Sequence, residues 1–139
     1  MVSDSKRKGS AGEAITAYRF LTNGANVYIP VQTGKRDLVV ELWQGKFFGV
    51  QVKSSSKPMY EKDRKTQRYR FSFRKSVAQV YNKDSVQIFC MVALDRDLIC
   101  FELNDGKKVH YNINADDFTQ ELEDQSFATL LKGLKIVHS

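Results

Sequence analysis

The apolar positions of the chain change period several times, and each change marks an element. Across residues 9–21, Ala11, Ala14, Ile15, Tyr18 and Leu21 recur three and four apart, the spacing of one helix face. Asn23 and Gly24 end it, because both tolerate the left-handed backbone that closes a helix. Residues 26–30 form a short apolar strand. Residues 37–43 and 46–53 alternate on either side of Gln44-Gly45, a pair that suits a tight hairpin turn. Residues 54–67 carry almost no apolar side chains and read as a loop. Residues 69–73 alternate again, with Tyr69, Phe71 and Phe73 on one side, and residues 74–81 read as a short helix. Residues 86–94 and 98–103 are apolar strands joined at Asp95-Arg96-Asp97. Asp105-Gly106 turns the chain into a last short strand at 108–113. Residues 116–131 predict a helix with Phe118, Leu122, Phe127, Leu130 and Leu131 as its apolar side. No repeat or linker interrupts the series. It predicts one α+β domain over 1–139, a central mixed β-sheet flanked by helices.

The 139 residues suffice for one real core and not two, and 42% hydrophobic content is that of an ordinary globular chain. No stretch of about 18 apolar residues is present, and the start, MVSDSKRKGS, lacks an apolar signal segment. A cytoplasmic protein, in a bacterial or phage-infected cell, with no membrane partner is expected. Cys90 and Cys100 make no disulfide framework and lack metal-ligand spacing, so reduced, half-buried thiols are expected.

Charge changes the picture. The net charge is +6, yet between Lys53 and Lys75 nine bases stand against two acids, so the remainder is near neutral. One strongly basic region on a neutral body is an electrostatic footprint for phosphate. A solvated lysine-rich loop is the plain alternative.

The alternating stretch RDLVVELWQGKFFGVQVKSSS, residues 36–56, places Asp37, Gln51 and Lys53 among apolar neighbours. Side chains two apart on a strand share a face, so Gln51 and Lys53 emerge together. The hairpin brings Asp37, at the start of one strand, beside the end of the next. An acid, an amide oxygen and an amine so placed suit phosphodiester hydrolysis. Mg²⁺ takes oxygen ligands from one or two carboxylates plus water, and a lysine can stabilise charge on phosphorus. Glu13, in the first helix, can supply a second carboxylate if that helix packs beside the sheet. Singly, each has a bland reading: Lys53 a surface amine, Asp37 a turn residue, Glu13 a solvated helix residue. Gln51 resists one most, since an unpaired amide in an oily strand is costly.

Glu13, Asp37 and Gln51-Val52-Lys53, in that order on a helix and a hairpin, resemble the PD-(D/E)xK nuclease superfamily. The segment 12–56 resembles the small branch that contains a bacterial group I intron-encoded homing endonuclease, where glutamine likewise replaces the acid of the acid-x-lysine. Two departures stand out: Arg36, not proline, precedes Asp37, and Gln51 brings no charge. The resemblance implies a restriction-endonuclease-like fold and catalytic roles for Glu13, Asp37, Gln51 and Lys53. It implies Mg²⁺, with Mn²⁺ substituting, held by Asp37, Glu13 and the Val52 backbone carbonyl. It implies double-stranded DNA as partner and a homodimer or homotetramer, because one such domain cuts one strand. Residues 54–68 become a basic DNA-contacting loop, with Ser54, Ser55, Lys57, Lys62, Arg64, Lys65, Arg68, Arg70 and Arg74 as candidate contacts. A homing-type endonuclease leads. A Holliday-junction resolvase or other phage or repair nuclease shares the site, and a catalytically silent DNA-binding module or a basic scaffold indifferent to metal stand as alternatives.

Overall fold

Ser3 opens the first helix, α1 (Asp4–Thr22), its hydroxyl accepting the Lys6 amide at 3.3 Å while Asp4 meets the positive end of the helix dipole. The chain is described by a computed structural model at residues 3–32, 34–76 and 79–136. The helix begins five residues before the apolar period does, because capping and not hydropathy sets its start. The buried stripe also differs from expectation. It is Gly12, Thr16 and Phe20, spaced four apart, whereas Tyr18 and Leu21 are exposed. Thr16 escapes a hydropathy reading because its hydroxyl is satisfied internally, donating to the Gly12 carbonyl at 2.8 Å.

After α1 the chain runs through β1 (Asn26–Tyr28), β2 (Leu38–Trp43), β3 (Lys46–Ser55), β4 (Met59–Tyr60), β5 (Gln67–Ser72), β6 (Arg74–Ser76), β7 (Gln79–Val80), β8 (Ile88–Ala93), β9 (Leu98–Leu103) and β10 (His110–Asn114). A 3-10 turn (Ala115–Asp117) leads to α2 (Gln120–Gly133). One sheet has the order β1-β2-β3-β8-β9, and only β3–β8 is parallel in it; a second has the order β10-β5-β4. Mixed central sheet and flanking helices match the α+β, restriction-endonuclease-like expectation.

Gln44-Gly45 makes the expected turn, with Gly45 at φ +78° and its amide held by Glu41 Oε2 at 2.9 Å. Two local expectations fail. Residues 74–81 are not a helix: β6 pairs antiparallel with β7, and residues 77–78 lie outside the described ones. The chain arrives extended from β5, and Phe73 continues the ladder by donating to the Val109 carbonyl at 2.8 Å. Residues 54–67 are not all loop. Parallel pairing with β8 carries β3 on to Ser55, and β4 adds an edge strand to β5. Met59 and Tyr60 are both exposed, so no alternation announced that strand.

Period-two alternation on the central strands feeds two cores. Val50, Val52, Cys90, Val92 and Phe101 face α1 and α2; Phe89, Met91, Ala93 and Cys100 face the second sheet, against Tyr69, Phe71, Phe73 and Tyr111. Phe73 stacks on Phe89 at 4.1 Å between centroids. Both cysteines are free and buried, not half-buried, and burial pushes the Cys100 thiol up to about 11. Among the described residues no helix is long and apolar enough to cross a membrane.

Candidate active site

Asp37 lies one residue before β2. Its amide donates to the Val50 carbonyl, and its Oδ2 accepts from the Val52 amide, both at 2.8 Å. The carboxylate therefore takes the place of a backbone acceptor at the point where β2 has run out. Leu38 pairs with Val50, so one step outward sets Asp37 opposite Gln51. A strand residue points its N–H and C=O along the same edge. The Val52 amide is turned to Asp37, so the Val52 carbonyl lies along that edge too.

Helix α1 reaches this corner because residue 12 has no side chain. A Cβ there would fall 1.8 Å from Ser54 Oγ. The close approach sets the next residue, Glu13, against Asp37. Burial raises the pKa of Glu13 above its ordinary 4.5, and the Asp37 charge and a hydrogen bond with Asp37 raise it further. Two carboxyls from distant parts of the chain thus share one proton-attracting corner.

Gln51 is buried, and its Oε1 has no hydrogen-bond partner among the described residues. Lys53 follows on the same face, half-buried, and its amine pairs with no other described residue. Two carboxylates, an orphaned amide oxygen and a strand-edge carbonyl form a hard, oxygen-only donor set. That set fits a cation of the Mg²⁺ class, which completes its shell with water. Among the described residues no three of His, Cys, Asp and Glu converge, so a site built from such a cluster is not what this corner offers.

The basic segment forms a hairpin. Glu61 to Thr66 turn between β4 and β5, with Asp63 accepting from the Lys65 and Thr66 amides at 2.9 Å. Lys57, Lys62, Arg64, Lys65 and Arg74 are exposed, and Arg64 sits at φ +58°. Ser55 closes a local turn by donating to the Lys57 carbonyl at 3.0 Å. Ser54 turns the other way: its hydroxyl is buried beneath Gly12 with no hydrogen-bond partner among the described residues. Arg68 and Arg70 project from β5 and are both engaged by Glu61.

Sequence reasoning missed Tyr81. It is buried, and its phenol is pushed up by burial and then by the Asp37 charge, which places it beside the acid corner. Assigned to the end of a helix, it had no pattern to connect it with Asp37.

No curated protein sequence matches the chain. Among solved structures, the bacterial homing endonuclease I-Ssp6803I superposes with a TM-score of 0.68 over 99% of this chain and 100% of its own, at 18% identity. At that identity the likeness concerns the fold. A model of the family described as PD-(D/E)XK endonuclease matches residues 3–127. That span takes in the helix carboxyl, the hairpin that carries Asp37, Gln51 and Lys53, and the basic segment after it, and on this ground the chain belongs to the PD-(D/E)XK endonuclease family.

Proposed function

We propose that this protein is a metal-dependent endonuclease of the homing type, hydrolysing phosphodiester bonds in double-stranded DNA. The observation that carries the reading is the meeting of Glu13 and Asp37 beside the unpartnered Gln51 oxygen. A helix carboxyl whose proton affinity is raised by burial and by Asp37, and a buried amide oxygen with no described partner, are unfavourable alone. A divalent cation relieves both.

Mg²⁺, or Mn²⁺ in its place, would be held by Asp37, Glu13, Gln51 and the Val52 carbonyl. When bound, it supplies charge for the phosphate oxygens and acidifies a water. The chain supplies the rest. Asp37 is fixed through Oδ2 by the Val52 amide, which leaves Oδ1 directed by that bond and not by rotation. Lys53 brings an uncommitted ammonium to the same face as Gln51, placed to donate to a non-bridging phosphate oxygen or to orient the attacking water. Lys57, Lys62, Arg64, Lys65 and Arg74 offer phosphate contacts, and the family's one-strand-per-domain logic calls for a homo-oligomer.

The test is cleavage of linear duplex, supercoiled plasmid and four-way junctions with and without Mg²⁺. Lys53→Ala should abolish cutting while binding and fold survive. Cutting without added metal, or near-wild-type cutting by the variant, would refute the reading. Cutting confined to junctions would favour the resolvase.

A further inference from the structure

β5 buries Tyr69 and Phe71 inward, with Phe73 just beyond it, so Arg68, Arg70 and Ser72 stand on the outward face of the second sheet. β10 does the same with Tyr111 inward. Antiparallel register sets Asn114 directly across from Arg68, Asn112 across from Arg70, and His110 across from Ser72. The outward face is thus a two-strand array of Arg, Asn, Ser and His side chains. Its apolar counterparts are all on the other side.

The two arginines are held, not waving. Arg68 Nε donates to Asn114 Oδ1 at 2.8 Å and lies 3.9 Å from Glu61 Oε1. Arg70 pairs with the other oxygen of Glu61. The Glu61 carboxylate, on the turn after β4, therefore fixes both guanidinium groups from one flank, and Asn114 fixes Arg68 from the other. This bonding spends the Nε of Arg68 and leaves its terminal fork, the two NH₂ groups, uncommitted to any other described residue. That fork is the part of arginine that reads guanine O6 and N7 in the major groove. Asn112 makes no hydrogen bond with another described residue, and a free carboxamide reads adenine N6 and N7.

A phosphate-binding surface has no need of such an arrangement. A carboxylate among its arginines would weaken a surface that only neutralised phosphate, whereas arginines fixed in place suit base edges. We propose that the outward face of the β5–β10 pair is the base-reading surface of the protein, with Arg68 and Asn112 contacting base edges and Glu61 and Asn114 as positioning residues. The exposed Lys62, Arg64 and Lys65 at the hairpin tip would grip phosphate alongside. The inference rests on the endonuclease reading and deepens it, since it names the surface and the residues with which that endonuclease would read bases.

The experiment uses the full chain and a duplex library with a randomised central segment, selected by binding in Ca²⁺ and, separately, by cleavage in Mg²⁺. Wild type should return a consensus. Asn112→Ala should erase preference at one or two positions, by roughly tenfold or more each, and keep the rest of the consensus and the salt slope. Glu61→Gln should blur the positions read by Arg68 while binding of random duplex strengthens, since a negative charge is lost. A role for Glu61 in folding alone would lower binding to all sequences equally. If both variants return the wild-type consensus, or wild type binds and cuts without any consensus, the base-reading face is refuted and the nuclease stands. If wild type neither binds nor cuts, both readings fall.

Discussion

Replacing Gly12 with alanine tests the joint on which the whole site hangs. The added methyl would lie 1.8 Å from Ser54 Oγ, 3.2 Å from Ser54 Cβ and 3.6 Å from Val52 Cγ1. The first contact forces the Ser54 hydroxyl to turn away or the helix to lift; the second asks for a shift of a few tenths of an ångström, and the third is ordinary. Overpacking of this kind costs roughly 1–3 kcal/mol. Alanine for glycine inside a helix returns about 1 kcal/mol. The single variant should therefore lose about 1 kcal/mol, and α1 should lift, drawing Glu13 away from Asp37. Ser54→Ala removes the first contact and also a buried hydroxyl with no described partner, whose burial costs about 1–3 kcal/mol. The double variant Gly12→Ala, Ser54→Ala should thus match or exceed wild type, with a coupling of roughly 1–3 kcal/mol between the two positions. Urea unfolding followed by far-ultraviolet circular dichroism gives the four stabilities, and plasmid cleavage follows the site. Activity should fall in the single variant and recover in the double. Zero coupling would mean that the helix does not sit on β3 at Ser54, and the account of how Glu13 reaches Asp37 would go with it.

Further outcomes follow from the same geometry. The raised pKa of Glu13 means the folded chain holds that proton more tightly than the unfolded one, so stability falls as pH rises from about 4.5 through the folded value and stays lowered above it. Glu13→Gln should melt higher than wild type at pH 7 and lose that advantage near pH 3.5; an equal difference at both would refute the carboxyl pair. Asp37→Asn should keep the Val52 contact, since an amide oxygen still accepts, yet lose Mg²⁺ and Ca²⁺ binding by calorimetry; unchanged affinity would remove Asp37 from the metal site. Alanine at Lys62, Arg64 and Lys65 together should flatten the log affinity against log salt slope by about 2–3, with no change counting against the tip as a phosphate grip.

Much of the frame was legible because its signals are local. The Gln44-Gly45 hairpin, the strands on either side of it and the paired apolar strands at 88–103 follow from alternation and turn chemistry. Asp37, Gln51 and Lys53 stood out for a related reason: each breaks an apolar run. What stayed hidden depends on tertiary context. The buried face of α1 includes Gly12 and Thr16, one without a side chain and one with its hydroxyl satisfied internally, so hydropathy pointed to Tyr18 and Leu21 instead. Residues 74–81 read as a short helix, but the ladder bond at Phe73 brings the chain in extended. Asn112 and Asn114 carry no signal at all until β10 is laid beside β5.

One feature of the topology bears on how such a chain acquires its shape. β3 and β8 are parallel neighbours, and everything from Ser56 to Gln87 lies between them in sequence. Parallel neighbours are usually joined by a helix; here the crossover contains β4 to β7. The central pairing therefore waits on closure of a long connection, whose entropic cost precedes any reward from contacts. Phe71 and Phe73, on the inner side of that connection, belong to the slow step. Changes there should retard refolding, whereas changes at Arg68 or Arg70, on its outer side, should leave its rate alone. The surface that would distinguish one target from another is thereby free to vary without touching the speed at which the chain assembles.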